Sequence, residues 1–185
     1  MAKAREIPGL ETELAYGEVA ARVLEVRAQE LLDHSREVLD MADIERVHDM
    51  RVATRRLRAA IEVFWPCFPS GASKRALKEV KALADALGER RDRDVAIEAL
   101  AGFAAAMPSP DRPGIGSLVQ RFRQEQEQAN AELAPYVDAG RLQELRDRLE
   151  ELAEAARASV ADVDPALAKP IGETAAEEPG PQEGE

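Results

Sequence analysis

The sequence predicts an all-α protein, an antiparallel helical bundle of long helices joined by short loops. Apolar residues make up 45% of the 185 residues, but aromatic residues only 4%, a composition poor in residues that favour strands. Apolar residues recur every three or four positions along most of the chain, and no segment shows the alternation typical of a half-buried strand. The predicted bundle covers residues 10–158.

The first two helices are predicted from apolar spacing and capping residues. The first spans residues 10–40, and Gly17 is expected to fray or bend its start. The second begins after Asp43, a candidate N-cap, and ends near Phe64, before the prolines that follow. Its apolar positions step alternately by three and four residues: Val47, Met50, Thr54, Leu57 and Ile61.

The remaining helices are separated by glycine and proline signals. A third helix is expected to begin at Ser73, to be interrupted at Gly88 and to resume through Phe103. The proline-rich segment 107–114 reads as a loop, because proline cannot continue a helix. Two further helices are predicted over 118–133 and 142–156.

Residues 162–185 are mostly Pro, Gly, Glu and Ala, which predicts a disordered acidic tail. No apolar run approaches the roughly 20 residues of a membrane span, and no apolar signal segment follows Lys3 and Arg5, so we expect a cytoplasmic protein. The single cysteine, Cys67, excludes an internal disulfide and is interpreted as a packing residue.

Charge is distributed unevenly along the chain. The net charge is −11, which argues against a general nucleic-acid-binding protein. Residues 46–93 nevertheless carry a net positive charge, with 12 of the 25 Lys and Arg, between two net-negative segments. A bound anion would offset the electrostatic cost of that concentration, whereas ordinary solvated helix faces are the simpler alternative.

The most informative residues lie on the second predicted helix. His48, Arg51, Arg55 and Arg58 stand at positions i, i+3, i+7 and i+10, which places them in one row about 15 Å long. Arginine suits phosphate because its planar guanidinium forms bidentate, charge-assisted hydrogen bonds and stays protonated. The alternative is that these arginines form ion pairs with acidic residues on neighbouring helices.

A second basic row is predicted on the third helix. Lys74, Lys78 and Lys81 share one face, Arg75 is adjacent, and Arg90, Arg91 and Arg93 follow Gly88. Two basic rows on neighbouring helices would form a groove, which suits a linear polyanion better than a single phosphate.

These residues form two motifs that resemble the conserved histidine α-helical domain (CHAD) family. The motifs are His48-x-x-Arg51-Val52-x-x-Arg55-Arg56-Leu57-Arg58 and Leu87-Gly88-x-x-Arg91-Asp92-x-Asp94-Val95. The resemblance implies a helical domain that binds inorganic polyphosphate on a basic surface without a catalytic role, in some members at polyphosphate granules. By position, it implies phosphate contacts from His48, Arg51, Arg55, Arg56, Arg58, Lys74, Lys78, Lys81 and Arg91. His34 matches a second histidine position of the family, with a satisfied buried histidine as the alternative.

The chain resembles only the first half of a full-length family member. No segment after Gly114 repeats the basic motif. This predicts either that the protein binds a shorter stretch of anion or that a homodimer rebuilds a two-bundle domain and covers an exposed apolar face.

Two other function classes remain open. One is an enzyme acting on phosphoanhydrides with His48 as general acid or phosphoryl acceptor, although no phosphate-binding loop is visible. The other is a helical adaptor whose arginines bind an acidic protein partner. Asp85, Asp92 and Asp94 could hold a cation, but Asp92 more simply orients Arg91, so no metal or other cofactor is expected. Nucleic acid is not an expected partner, because Phe64 and Trp65 do not form a base-stacking platform.

Overall fold

The computed structural model describes residues 3–108 and 112–159, within which it contains five α-helices. They are α1 (Tyr16–His34), α2 (Ile44–Val63), α3 (Ser70–Ala106), α4 (Arg112–Leu133) and α5 (Ala139–Ala158). Short 3-10 turns, Trp65–Cys67 and Ala134–Tyr136, precede α3 and α5. The described residues contain no strand, which confirms the predicted all-α class. No described helix has the length and apolarity needed to cross a bilayer, and the predicted tail, residues 162–185, lies outside the described residues.

The core is enclosed by α1, α2, α5 and the first half of α3. Helix α1 packs between α2 and α5, and α3 packs against α2, α4 and α5. Neighbouring helices are antiparallel: Arg91 in the middle of α3 reaches the first residue of α2, and Arg157 near the end of α5 pairs with Glu18 near the start of α1. The largest fully buried apolar side chains are Leu24, Leu31, Met50, Leu57, Ile61, Leu87, Leu133 and Leu152.

Helix α1 is shorter than predicted at both ends. It begins at Tyr16 and ends at His34 rather than spanning residues 10–40, and the chain turns at Glu37, which adopts a left-handed φ of 55°. Gly17 does more than affect the helix start. A Cβ at this position would lie 2.2 Å from the carbonyl oxygen of Ala156, so only glycine allows α1 to approach α5 this closely.

Helix α3 runs without interruption through Gly88 for 37 residues, so the predicted break is wrong. Glycine inside a helix costs about 1 kcal/mol relative to alanine. Leu87 and Arg90 are fully buried on either side of Gly88, and their packing outweighs this local cost. A Cβ at Gly88 would meet no atom within 4 Å, so no close packing requires glycine there.

The helix starts show which capping predictions were correct. The Asp43 carboxylate accepts a hydrogen bond from the Glu45 amide at 3.2 Å, which confirms the predicted N-cap of α2. Helix α3 begins three residues before the predicted cap, and Ser73 instead donates its hydroxyl to the carbonyl oxygens of Pro69 and Ser70. Helix α4 begins at Arg112, inside the predicted loop, because Pro113 is tolerated in a first helical turn.

A buried polar network fixes α4 against α3. Arg90, fully buried, forms an ion pair with Asp94 one turn later, and Gln126 of α4 donates to the same carboxylate at 2.5 Å. The Arg90 guanidinium also donates to the side-chain oxygen of Asn130 at 3.3 Å, and Asn130 donates to the Leu39 carbonyl at 3.1 Å. The network therefore joins α3, α4 and the connection between α1 and α2.

Candidate anion-binding groove

Helices α2 and α3 form a groove whose α2 wall is mainly basic. Its cavity, about 490 Å³, is lined by His48, Arg51, Val52, Thr54, Arg55, Arg56, Arg58, Ala84 and Asp85. The four residues of the predicted row on α2, His48, Arg51, Arg55 and Arg58, therefore all line the same cavity. We call this cavity the α2–α3 groove.

The charge of the α2–α3 groove distinguishes it from the other depressions. Its lining contains four arginines and a single carboxylate, that of Asp85. Each of four other depressions on the described surface is lined by more carboxylates than Lys and Arg side chains. The chain as a whole has a net charge of −11, but the positive charge of this groove makes it the depression on the described surface that is best suited to bind an anion.

Two of the groove arginines are unpaired. Arg51 and Arg55 are exposed, and within residues 3–108 and 112–159 neither makes a hydrogen bond or ion pair. Most other arginines do form ion pairs, including Arg22, Arg27, Arg46, Arg148 and Arg157. The alternative of pairing with neighbouring acidic residues therefore fails at Arg51 and Arg55.

The α3 lysines extend the basic surface along one edge of the groove. Lys81 lies one turn before Ala84 and Asp85 and so shares the helix face that lines the groove. Lys78 and Lys74 continue that face toward the start of α3. All three are exposed, and none has a hydrogen-bonding or ion-pairing partner in the described part of the chain.

Arg56 and Arg58 line the groove but also contact carboxylates. Arg56 approaches Glu30 of α1 at 3.6 Å, and Arg58 approaches Glu62, one turn later on α2, at 3.4 Å. Their charge is therefore partly balanced before any ligand binds. Arg56 also ties α2 to α1, so its role is structural as well as electrostatic.

Glu30 is an acidic residue in the core that the sequence analysis missed. Its side chain is 1% exposed, and burial disfavours the charged carboxylate. The Arg5 amide and the Arg27 guanidinium each donate a hydrogen bond to the Glu30 carboxylate at 2.6 Å. The positive charges of Arg27 and Arg56 also stabilise the ionised carboxylate. Together they outweigh burial and hold the pKa of Glu30 below its usual value of 4.5. The signal in the sequence is a glutamate between apolar positions of an amphipathic helix.

Five predicted contact residues do not line the cavity: the three α3 lysines (Lys74, Lys78 and Lys81), which lie beside it, and Arg91 and His34, which have other contacts. Arg91 is largely buried, donates to the Ile44 carbonyl at 3.3 Å and lies 3.5 Å from Glu45, so it holds the start of α2. His34 lines a different depression at the end of α1, among five carboxylates that include Asp33 and Asp49. The structure thus does not bring His34 into the α2–α3 groove.

Arg90 and Arg93, counted with the basic segment, are neutralised within the protein. Arg90 pairs with Asp94 in the buried network, and its burial, with the nearby charge of Arg91, lowers the pKa of Arg90. Arg93 pairs with Glu89 at 2.7 Å. The spacing Arg90-x-x-x-Asp94, an i, i+4 pair on a helix, is the signal that identifies the first of these ion pairs.

A group of potential metal ligands lies near the start of α2, at the end of the groove. Glu45, His48 and Asp49 each offer one ligand atom, and these atoms lie within 4.8 Å of one another. Glu45 is exposed and engaged by Arg91, so we assign no metal to this group. The predicted alternative of Asp85, Asp92 and Asp94 is not supported, because Asp94 is bound by Arg90 and Gln126. Burial raises the pKa of the Cys67 thiol, which fits a packing residue.

The family model of the CHAD domain matches residues 22–182. This chain belongs to the CHAD domain family. No curated protein is detectably similar to it. Within this CHAD protein, the first motif forms the α2 wall of the groove, whereas the second supplies the arginine and aspartate that fix α2 and α4.

Proposed function

We propose that this CHAD protein binds inorganic polyphosphate in the α2–α3 groove and does not hydrolyse it. The main supporting observation is a set of cations that have no partner among the described residues: Arg51 and Arg55, which line the groove, and Lys74, Lys78 and Lys81 beside it. Family membership supports the ligand class, because CHAD domains are related to polyphosphate.

The shape of the basic surface favours a chain of phosphates over a single one. The arginine row runs along α2 for about 15 Å, from His48 to Arg58. Helical spacing places Lys81, Lys78 and Lys74 on the α3 face that carries Ala84 and Asp85, so the lysines extend the basic surface beyond the cavity. Arg51 and Arg55 stand one turn apart, so each guanidinium can bind a different phosphate of the same polymer. Binding along a row requires no enclosed pocket, which fits an open groove.

The side chains that line the groove favour binding over catalysis. The Thr54 side chain is buried, and its hydroxyl donates to the Met50 carbonyl at 2.8 Å rather than to a base that would activate it as a nucleophile. Among the described residues that line the groove, His48 is the remaining candidate for acid–base chemistry and Asp85 is the only carboxylate. We therefore expect no phosphate release from polyphosphate when Mg²⁺ is present, and steady release abolished by His48→Gln would overturn this part of the proposal.

A competition experiment separates polyphosphate from other polyanions. Fluorescently labelled long-chain polyphosphate is titrated with the full chain, and poly-glutamate of matched charge and duplex DNA serve as competitors. We expect unlabelled polyphosphate to compete far better than either, because guanidinium groups bind phosphate oxygens in bidentate geometry. Equal competition by poly-glutamate would instead favour the acidic-partner adaptor.

The same proposal makes a cellular prediction. A fluorescent fusion of the protein should concentrate at polyphosphate deposits, and the Arg51→Ala/Arg55→Ala variant should remain diffuse. A wild-type fusion that stays diffuse in cells rich in polyphosphate would argue against association with granules.

A further inference from the structure

The last third of α3 and the start of α4 form a two-helix hairpin in which none of the described residues is buried. Across 95–108 and 112–125, every described residue is exposed or only half-buried. The last buried position of α3 before this stretch is Asp94, and the first buried position of α4 is Gln126. The hairpin therefore extends beyond the core, and its two helices pack mainly against each other.

The α3 part of this hairpin is apolar on all sides. Residues 95–107 contain one charged side chain, Glu98, in a chain in which 33% of residues are charged. The half-buried residues Ile97, Leu100, Ala104 and Met107, spaced by three and four, form the seam toward α4. A second row remains exposed: Val95, Ala99, Phe103 and Ala106.

The exposure of this second row is large. Phe103 is 59% exposed, Val95 48% and, on α4, Leu118 40%. A helix that is apolar all round is normally buried within a larger assembly, because leaving such a surface in water is unfavourable. The hairpin thus has one satisfied seam and one apolar face without a partner among the described residues.

We propose that this face binds the same face of a second copy of the chain, so that two hairpins form a four-helix bundle. The charge distribution favours a second copy as the partner. Two molecules of net charge −11 repel each other over most of their surfaces. Residues 95–125, which span the hairpin, contain three acidic residues (Glu98, Asp111 and Glu125) and three arginines (Arg112, Arg121 and Arg123), so this segment has no net charge and is where two copies meet with little repulsion. A two-fold contact uses the same residues of both copies, so small residues such as Ala99 line the interface from both sides and allow close helix packing.

The available surface sets the expected strength. The hairpin is about 20 Å long and about two helix diameters, 20 Å, wide, which gives a flat footprint of about 400 Å² per copy. Side-chain relief increases the accessible area, so the pair lies near the roughly 1,000 Å² lower limit for specific interfaces. We therefore expect a dimer with a dissociation constant in the micromolar range.

The test is the oligomeric state of the full chain by sedimentation equilibrium, without polyphosphate, from about 1 to 200 µM. Phe103→Glu and Ala99→Glu place charge on the exposed row, and we expect each to leave a folded monomer. The matched control is Val63→Glu, since Val63 is 55% exposed at the end of α2, on the core part of the bundle. This variant should dimerise like the wild type.

Salt separates this proposal from polyphosphate binding. Higher salt screens the repulsion between two anionic chains and strengthens apolar association, so dimerisation should become tighter as salt rises. A wild type that stays monomeric over the whole range, or a dimer unaffected by Phe103→Glu, would overturn the inference. The inference would also be overturned if the full chain stayed monomeric and the chain without residues 160–185 dimerised. Residues 160–185 would then be the segment that covers the hairpin face. None of these results depends on whether the groove binds polyphosphate.

Discussion

Removing the two unpaired groove arginines gives the sharpest test of the site. In the Arg51→Ala/Arg55→Ala variant no protein ion pair is lost within the described residues, and both side chains are exposed. The fold should therefore be unchanged, and helix content by circular dichroism should equal that of the wild type. Any loss of affinity then reports on ligand contacts rather than on unfolding.

The size of the effect follows from the number of free cations. For nucleic acids, each neutralised phosphate contributes about 0.7–0.9 to the slope of log affinity against log salt concentration. If Arg51, Arg55, Lys78 and Lys81 each neutralise one phosphate, the wild-type slope should be about −3, and the variant should retain about half of it. Two charge-assisted hydrogen bonds at about 1.5 kcal/mol each correspond to a loss in affinity of about a hundredfold.

Fluorescence anisotropy with labelled polyphosphate at several salt concentrations measures both quantities. The control is Arg121→Ala/Arg123→Ala, which removes the same charge from exposed positions on α4. It should reduce affinity only slightly and leave the slope nearly unchanged. If both variants lower the slope equally, general electrostatic attraction explains binding, and the assignment to the α2–α3 groove is refuted.

Three further predictions concern stability and the tail. Gly17→Ala should destabilise the protein by about 1–3 kcal/mol in urea denaturation, because the added Cβ would meet the Ala156 carbonyl. The control Gly116→Ala, where a Cβ meets no atom within 4 Å, should stabilise the protein by about 0.5–1 kcal/mol. Equal effects of the two substitutions would contradict the close approach of α1 to α5. The pKa of Glu30 is lower in the folded protein than in the unfolded chain, so the ionised carboxylate stabilises the fold above about pH 4.5, and this stabilisation is lost as pH falls through the folded pKa. Glu30→Gln should therefore be less stable than wild type at neutral pH and should lose less stability between about pH 5 and pH 3. Identical acid denaturation profiles of the two proteins would exclude a stabilising role of the Glu30 charge. Residues 162–185 contain one lysine and seven carboxylates, a net charge of −6. Deleting them should preserve helix content and raise polyphosphate affinity at low salt, and the gain in affinity should vanish at high salt. A fall in helix content would show that the segment belongs to the folded domain.

The sequence predicted the helices well where apolar spacing is regular. The spacing of Met50, Leu57 and Ile61 identified α2 and its inward face, and Asp43 identified its start. The break predicted at Gly88 was wrong because buried neighbours hold α3 together across a residue of low helix propensity. Tertiary packing of that kind is not encoded in the local sequence.

The candidate site was predicted less completely. Helical periodicity is enough to place His48, Arg51 and Arg55 on one face. It does not show which arginines meet carboxylates from other helices, so the pairing of Arg56 with Glu30 and of Arg91 with Glu45 became visible only in three dimensions. For the same reason Asp85, a carboxylate among the groove arginines, was not recognised as a lining residue.

The length of α3 has a consequence for polymer recognition. One continuous helix of 37 residues carries the groove lysines near its start and the apolar hairpin near its end. Lys78 and Phe103 are 25 positions apart, a rise of about 38 Å along a single stiff rod. Two chains joined through their hairpins would hold their grooves at a fixed separation set by that rod. Polyphosphate long enough to reach both grooves would gain from a high effective concentration at the second, and shorter polymers would not. The length of α3 would then set the minimum length of polyphosphate that binds both grooves with high affinity.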